Sequence, residues 1–310
     1  MALNYAQVWA PDLLEIMEQE SLTSPFVTTA VKWLSAKTFH FTQMKTSGYK
    51  SHSRLGGWNK GTFAQTDVPF TLTHDRDIQF MIDKIDVDET NETASIKNIS
   101  EVFHKTQQIP EMDAYFYSKV ATEAQKLDGY HSSTALSSYT KENVYGKLKS
   151  MLSAGKLRRY VAKGALIAYV NSTIMDLLEQ STDFTRKIEM TQIAEGGVGI
   201  ETRITDIDGV TLIEVIDDER FYDKFDFTDG FAPVASTSHR INVLIASPLT
   251  VKTVPKISSI YYFNPGQHTE GDGYLYQDRS LSDTFIFPNG KDNKIDSIYV
   301  DVDTETYTAE

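Results

Sequence analysis

Residues 38–73 read TFHFTQMKTSGYKSHSRLGGWNKGTFAQTDVPFTLT. At the start of this stretch Phe39, Phe41 and Gln43 alternate with Thr38, His40 and Thr42. At its end Val68, Phe70 and Leu72 alternate with Pro69, Thr71 and Thr73. Period-two alternation marks half-buried strands. Between the two runs, residues 45–65 hold Gly48, Gly56, Gly57 and Gly61, the composition of a hairpin tip. Arms of about 15 residues at ~3.3 Å per residue would reach ~50 Å, whereas a compact domain of this length has a radius of gyration of only ~20 Å. An extended hairpin must therefore project from the body. Two isolated strands are marginal in water, so the reading predicts a partner beneath it. The competing reading is a loop folded back over its own body.

The hairpin lies inside a longer stretch, residues 21–66, that uses no Asp or Glu. Six bases fall there: Lys32, Lys37, Lys45, Lys50, Arg54 and Lys60. The whole chain sets 43 acids against 30 bases for a net charge of −13; outside the stretch 24 bases face 43 acids, or −19. An acidic body thus carries one basic, glycine-punctuated segment. That layout suits docking onto copies of the same chain or onto another polyanion.

The totals exclude several classes. A chain of 310 residues can bury one large core or two moderate ones. An apolar fraction of 40% with 11% aromatics excludes global disorder. No run approaches the ~18 apolar residues of a bilayer-spanning helix. The first twenty residues lack the basic start and apolar run of a secretory signal, which predicts a soluble chain made in the cytoplasm. The absence of cysteine rules out disulfides, thiolate metal sites and cysteine nucleophiles. The acidic balance argues against the body gripping nucleic acid, which needs clustered Lys and Arg.

Elsewhere the pattern mixes helix and strand. Pro11 and Asp12 open a short amphipathic helix with Leu13, Leu14 and Met17 on one side. From residue 94, Ile96, Ile99, Val102, Phe103 and Thr106 share a helical face until Pro110 interrupts. Met112, Phe116, Val120, Ala124 and Leu127 continue it to Asp128-Gly129. The Ser/Thr-rich residues 131–140 read as a domain boundary. Val144, Leu148, Met151 and Leu152 mark a helix, residues 165–170 an apolar strand, and Ile174, Leu177 and Leu178 another helix. Asp208-Gly209, between strands at 200–207 and 210–215, is a hairpin turn. Strands follow at 241–246, 257–263, 274–276, 284–287 and 298–302. No repeat appears, and the class is α+β.

Chemistry is sparse. The seven histidines show no i, i+4 pair, and no nucleophile elbow or phosphate loop occurs. Residues 196–199 (Gly-Gly-Val-Gly) precede a strand rather than opening a helix, and read as a loop. Asp83, Asp86, Asp88, Glu89 and Glu92 lack the spacing of a calcium loop. They fit a helix entrance, where acids suit the dipole. Residues 270–273 (Glu-Gly-Asp-Gly) are a turn. No catalytic residue, cofactor or metal is expected.

One resemblance adds to this reading. Asp75-Arg76-Asp77, Phe80, Asp83, Asp86 and Asp88-Glu89-Thr90-Asn91, followed by Pro110-Glu111-x-Asp113-Ala114-Tyr115, resemble the major capsid proteins of tailed bacteriophages. Many of these come from phages and prophages of Gram-positive bacteria, and they have the Hong Kong 97-type fold. Asp208-Gly209-Val210, the run from Arg240 to Ile245, Asp272-Gly273, Tyr276 and Arg279 resemble the same family in the same order. The resemblance covers about residues 36–303. It implies an N-terminal arm at 1–35, an extended hairpin loop at 36–75, and a peripheral domain with a spine helix at 76–138. An axial domain at 139–250 and C-terminal strands at 251–310 returning to the peripheral domain would complete it.

The expected function is then a structural shell subunit. It would form hexamers and pentamers in an icosahedral head around double-stranded DNA, without sequence-specific binding and without a membrane. It would be assembled in the host bacterial cytoplasm and end in the virion, with a portal protein as partner. Some relatives carry an assembly domain of about a hundred residues, for which no room precedes the first strand, so a separate scaffolding protein is expected. Lys37, Lys45, Lys50, Arg54, Trp58 and Lys60 are the candidate inter-subunit contacts. Lys45, Lys50 and Lys60 match a cross-linking lysine by position only, and no cross-link is expected. The alternatives are an encapsulin-like compartment, a tail-tube protein, or a hydrolase built on Asp86 and Asp88.

Overall fold

A computed structural model describes residues 21–29, 37–52, 56, 58–89, 96–181, 189–191, 202–289 and 294–308. The helix expected at 11–17 and the loop at 196–199 lie outside them. In chain order the strands are β1 (Thr38–Thr46), β2 (Phe63–Thr71), β3 (His74–Asp83), β4 (His131–Ser133), β5 (Ile167–Asn171), β6 (Glu189–Thr191) and β7 (Thr202–Ile207). There follow β8 (Val210–Val215), β9 (Phe225–Asp226), β10 (Ala232–Pro233), β11 (His239–Ala246), β12 (Val251–Phe263), β13 (Gly273–Ile286) and β14 (Ile298–Thr306). The helices are α1 (Lys84–Glu89), α2 (Ile96–Phe103), α3 (Ile109–Gln125), α4 (Val144–Leu152), α5 (Arg158–Val161) and α6 (Ser172–Glu179).

The chain is α+β. Its largest sheet runs β4-β14-β11-β5-β8-β7-β6. Its strands are near-continuous apolar runs because both faces are covered. On β11, Leu244 and Ala246 join one core cluster while Val243 and Ile245 join the other. The first face packs on α3 through Phe116, Tyr117 and Val120; the second packs on α4 and α6 through Leu148, Leu152, Ile174 and Leu178. The turn between β7 and β8 is built as its sequence demands. Asp208 and Gly209 both take positive φ, 54° and 80°, which matches the twist of the flanking strands.

The residues read as helix on either side of Pro110 form one continuous helix. A π turn at His104–Gln108 joins α2 to α3, and Phe103, Gln108 and Ile109 all keep helical φ and ψ. Pro110 therefore does not interrupt it. Proline lacks a donor and crowds the preceding turn. The wider turn, in which the Ile109 amide reaches the carbonyl of His104, absorbs the mismatch.

A second sheet, β12-β13-β3, carries two further differences. The runs at 274–276 and 284–287 belong to one strand of 14 residues, β13. Polar residues between the runs hid its continuity, because Asp278, Ser282, Asp283 and Thr284 are buried and bonded rather than looped out. The second difference is β3, which the acids of residues 75–83 masked although Ile78, Phe80 and Ile82 alternate. The bulge beside Pro255 falls on β12, an edge strand, where a missing donor is tolerated.

β1 and β2 form the expected antiparallel hairpin, in register from Thr38 opposite Thr71 to Thr46 opposite Phe63. Its paired arms are nine residues long rather than about fifteen; polar and glycine-rich residues fill the remainder of the tip.

Candidate assembly interface

The root of the hairpin is aromatic. Phe39 lies 5.5 Å from Phe70 and 5.0 Å from Phe285, and Phe41 stacks on Phe287 at 4.7 Å. Phe39, Leu72, Val254, Leu281 and Phe285 close into a small core of their own. Alternation places Phe39 and Phe41, opposite Phe70 and Val68, on the face that meets the end of β13.

Four residues after β2 then fix the hairpin to the body. Thr73 donates its amide and hydroxyl to Asp283 at 3.0 and 2.8 Å, and Tyr115 donates to the same carboxylate at 2.8 Å. Burial, and then the charge of Asp283, push the Tyr115 phenol well above its ordinary value, so it stays a donor. His74 stacks on Tyr115 at 4.0 Å. Asp75 accepts from Lys37 at 3.0 Å and from Arg279 at 3.0 and 3.1 Å. The Arg279 and Lys37 hydrogen bonds hold its carboxyl down at about 2. Arg76 grips Glu111 at 2.7 and 3.2 Å, and also donates to the carbonyls of Phe227 and Gly230.

The motif residues 75–77 and 110–115 are thus joints between elements. Asp113, fully buried on α3, is the deepest. It accepts from Ser21 at 2.9 Å, the Leu22 amide at 3.1 Å, Thr23 at 2.7 Å and Arg220 at 3.2 Å. With Phe26 against Phe116 at 4.7 Å, this straps residues 21–26 onto the long helix. Among the described residues, no cluster of three His, Asp or Glu could hold a metal. Asp83 instead caps α1 by accepting from the Ile85 amide at 2.9 Å, and Asp86 lies in that helix's first turn.

The candidate contacts divide by position. Lys37 is at the root and is spent on Asp75. Lys45 is exposed on β1, opposite Ala64. In the tip, Lys50 donates to the Lys60 carbonyl at 3.2 Å, and Asn59 to the Ser51 carbonyl at 2.8 Å. Arg54 lies outside the described residues. Trp58 is 95% exposed, with His52 its ring neighbour at 6.4 Å, and Tyr49, Met44 and Phe63 are exposed as well. The tip therefore shows aromatic and cationic side chains together.

A second acid-free stretch, residues 143–175, escapes attention because it has no glycine-rich tip. It bears Lys156, Arg158, Arg159 and Lys163 at the surface around α5. Arg158 and Lys149 meet Asp208 at 3.3 and 3.5 Å, and Arg159 meets Asp296 at 3.7 Å. Counting gaps between acids would have found it.

No protein-family model and no curated protein matches the sequence. Solved structures do. The asymmetric unit of the bacteriophage PhiM1 mature capsid aligns with 96% of this chain and 91% of its own, at 12% identity and a TM-score of 0.63. The capsid structure of the cyanophage P-SCSP1u covers 96% and 92%, at 11% identity and 0.61. A structure from Mycobacterium phage Che8 covers 94% and 95%, at 12% identity and 0.58. The likeness is one of fold, and it spans nearly the whole chain. The fold is the Hong Kong 97-type of phage capsid subunits.

Proposed function

We propose that the chain is the structural shell subunit of a tailed-phage head. Many copies, as hexamers and pentamers, would enclose double-stranded DNA, with the basic hairpin clasping the neighbouring subunit. The observation that carries this reading is a hairpin rooted firmly in the body whose tip leaves Trp58 and its neighbouring lysines bare, on a fold matched end to end by capsid subunits. Each exposed ion pair contributes only ~0–1 kcal/mol. Cohesion would therefore come from many repeated apolar and main-chain contacts, with charge setting register. The reading includes no catalysis. A separate scaffolding protein and a portal would act as partners during assembly in the host cytoplasm, and the product is a virion component.

Negative-stain microscopy of the purified chain, with and without a candidate scaffolding protein, tests it. Closed shells are expected. Open rods, or a discrete small oligomer with activity lost on Asp86→Asn, would overturn it. Replacing Lys45, Lys50, Arg54 and Lys60 by Glu should leave folded monomers that do not form shells; wild-type-like particles from that variant would remove the hairpin from the mechanism.

A further inference from the structure

We propose that the hairpin tip seats in a groove between β3 and the long helix of a second copy of this chain. The proposal rests on the shell reading above and names where the clasp lands.

The groove has a volume of about 600 Å³. That lies within the range of pockets that enclose a compact ligand, and leaves room for an indole. Phe80, Phe103 and Met112 supply apolar lining, and Asp77, Asp229 and Asp278 supply acids. Met112 is 37% exposed although it stands on a helix whose next residues are buried. Arg76 also borders the groove, but its guanidinium is committed to Glu111 and to the carbonyls of Phe227 and Gly230. The net character is an apolar cleft with an acidic rim. The hairpin tip is its complement, with Trp58 and Tyr49 exposed beside Lys50 and Lys60. A large aromatic anchor entering a cleft, with cations around it, has the composition of an interface hot spot. Charge of opposite sign on the two sides sets orientation.

A chain cannot fill its own groove. His74 and Asp75 border the groove and follow β2 within four residues, so the groove begins at the hairpin's root. The tip lies at the far end of arms nine residues long, ~30 Å away. Bringing it back would break the register from Thr38–Thr71 to Thr46–Phe63. The occupant is therefore another copy, and the contact joins two different surfaces, the kind that closes into rings.

The chain has no cysteine, which makes the test clean. Trp58→Cys combined with Met112→Cys, oxidised after assembly, should give a ladder of covalent multimers on a non-reducing gel. Neither single variant should do so, nor should Trp58→Cys with Leu249→Cys, a pair whose second member is exposed elsewhere. As a second measurement, Asp77→Lys with Asp229→Lys should give folded monomers whose critical concentration for assembly rises at least about tenfold, and Lys50→Asp with Lys60→Asp in the same chain should recover most of that loss. Shells that form without the ladder, or a ladder equally strong with Leu249→Cys, overturn this proposal and leave the shell reading intact. A chain that stays monomeric under all conditions overturns both.

Discussion

Asp113 and Arg220 are 0% and 1% exposed, and each is the other's counter-charge. Breaking such a pair from one side strands a charge in the interior, which typically costs 3–5 kcal/mol. Asp113→Ala should therefore lower unfolding free energy by about that amount in urea titration. It should also loosen residues 21–26, because Ser21, Leu22 and Thr23 lose their acceptor at the same time. A double-mutant cycle with Arg220→Met should show strong coupling; additive losses would mean that the pair is not a unit. Asp75 behaves differently because its partners Lys37 and Arg279 stand at the surface. Its carboxyl titrates at about 2 in the folded chain against 3.8 in the unfolded one. The folded state thus binds protons less readily, so this contribution is fully present above pH 3.8 and disappears as pH falls toward 2. Exposed pairs are weak, so the effect is small but local. Amide exchange in β1 near Lys37 should quicken across that window in the wild type, and Asp75→Asn should be fast already at pH 5.

At the scale of elements, the π turn is a place where one residue decides a long register. Deleting Gln107, which is exposed in the π turn, would restore a regular helix while turning residues 96–103 by ~100° relative to α3. Phe103 would then leave Phe80, now 5.5 Å away, and Ile99 would leave the cluster of Ile82 and Tyr276. Losing one aromatic pair and part of a small core should cost about 2–4 kcal/mol, measured by thermal unfolding. Unchanged stability would mean that α2 is not held by these contacts. The same element shows what a sequence conveys and what it does not. The helical faces on both sides of Pro110 were legible from spacing, but whether a proline breaks a helix depends on the turn before it. The hairpin was legible because alternating aromatics bracket a glycine-rich tip. β3 was not, since five of its ten residues are His, Asp or Arg whose partners lie far along the chain, among them Asp75 with Arg279 and Arg76 with Glu111. Of the candidate contacts, charge alone grouped Lys37 with the tip lysines; only the fold separates a root anchor from a tip contact.

For the molecule as a whole, charge works at two ranges. Every copy carries −13, so copies repel when their fields overlap. At about 0.01 M salt the screening length is ~30 Å, comparable to the body, whereas at about 0.15 M it is ~8 Å and only groups near contact still interact. Repulsion between acidic bodies is long-range and fades first. Attraction between a basic hairpin and an acidic neighbour acts across a formed contact and survives longer. Assembly followed by light scattering should therefore speed up as salt rises from about 0.01 to 0.15 M, and slow only at higher salt, when the contacts themselves are screened. The variant with Lys45, Lys50, Arg54 and Lys60 changed to Glu is eight charges more negative per copy and lacks the local attraction. Salt should remove its repulsion without restoring shells, so it should stay unassembled at every concentration at which the wild type succeeds. A wild type that only slows from the lowest salt upward would mean that attraction at the hairpin already outweighs body-to-body repulsion at long range. The acid-free stretch would then act by steering copies together from a distance rather than by holding them once they meet.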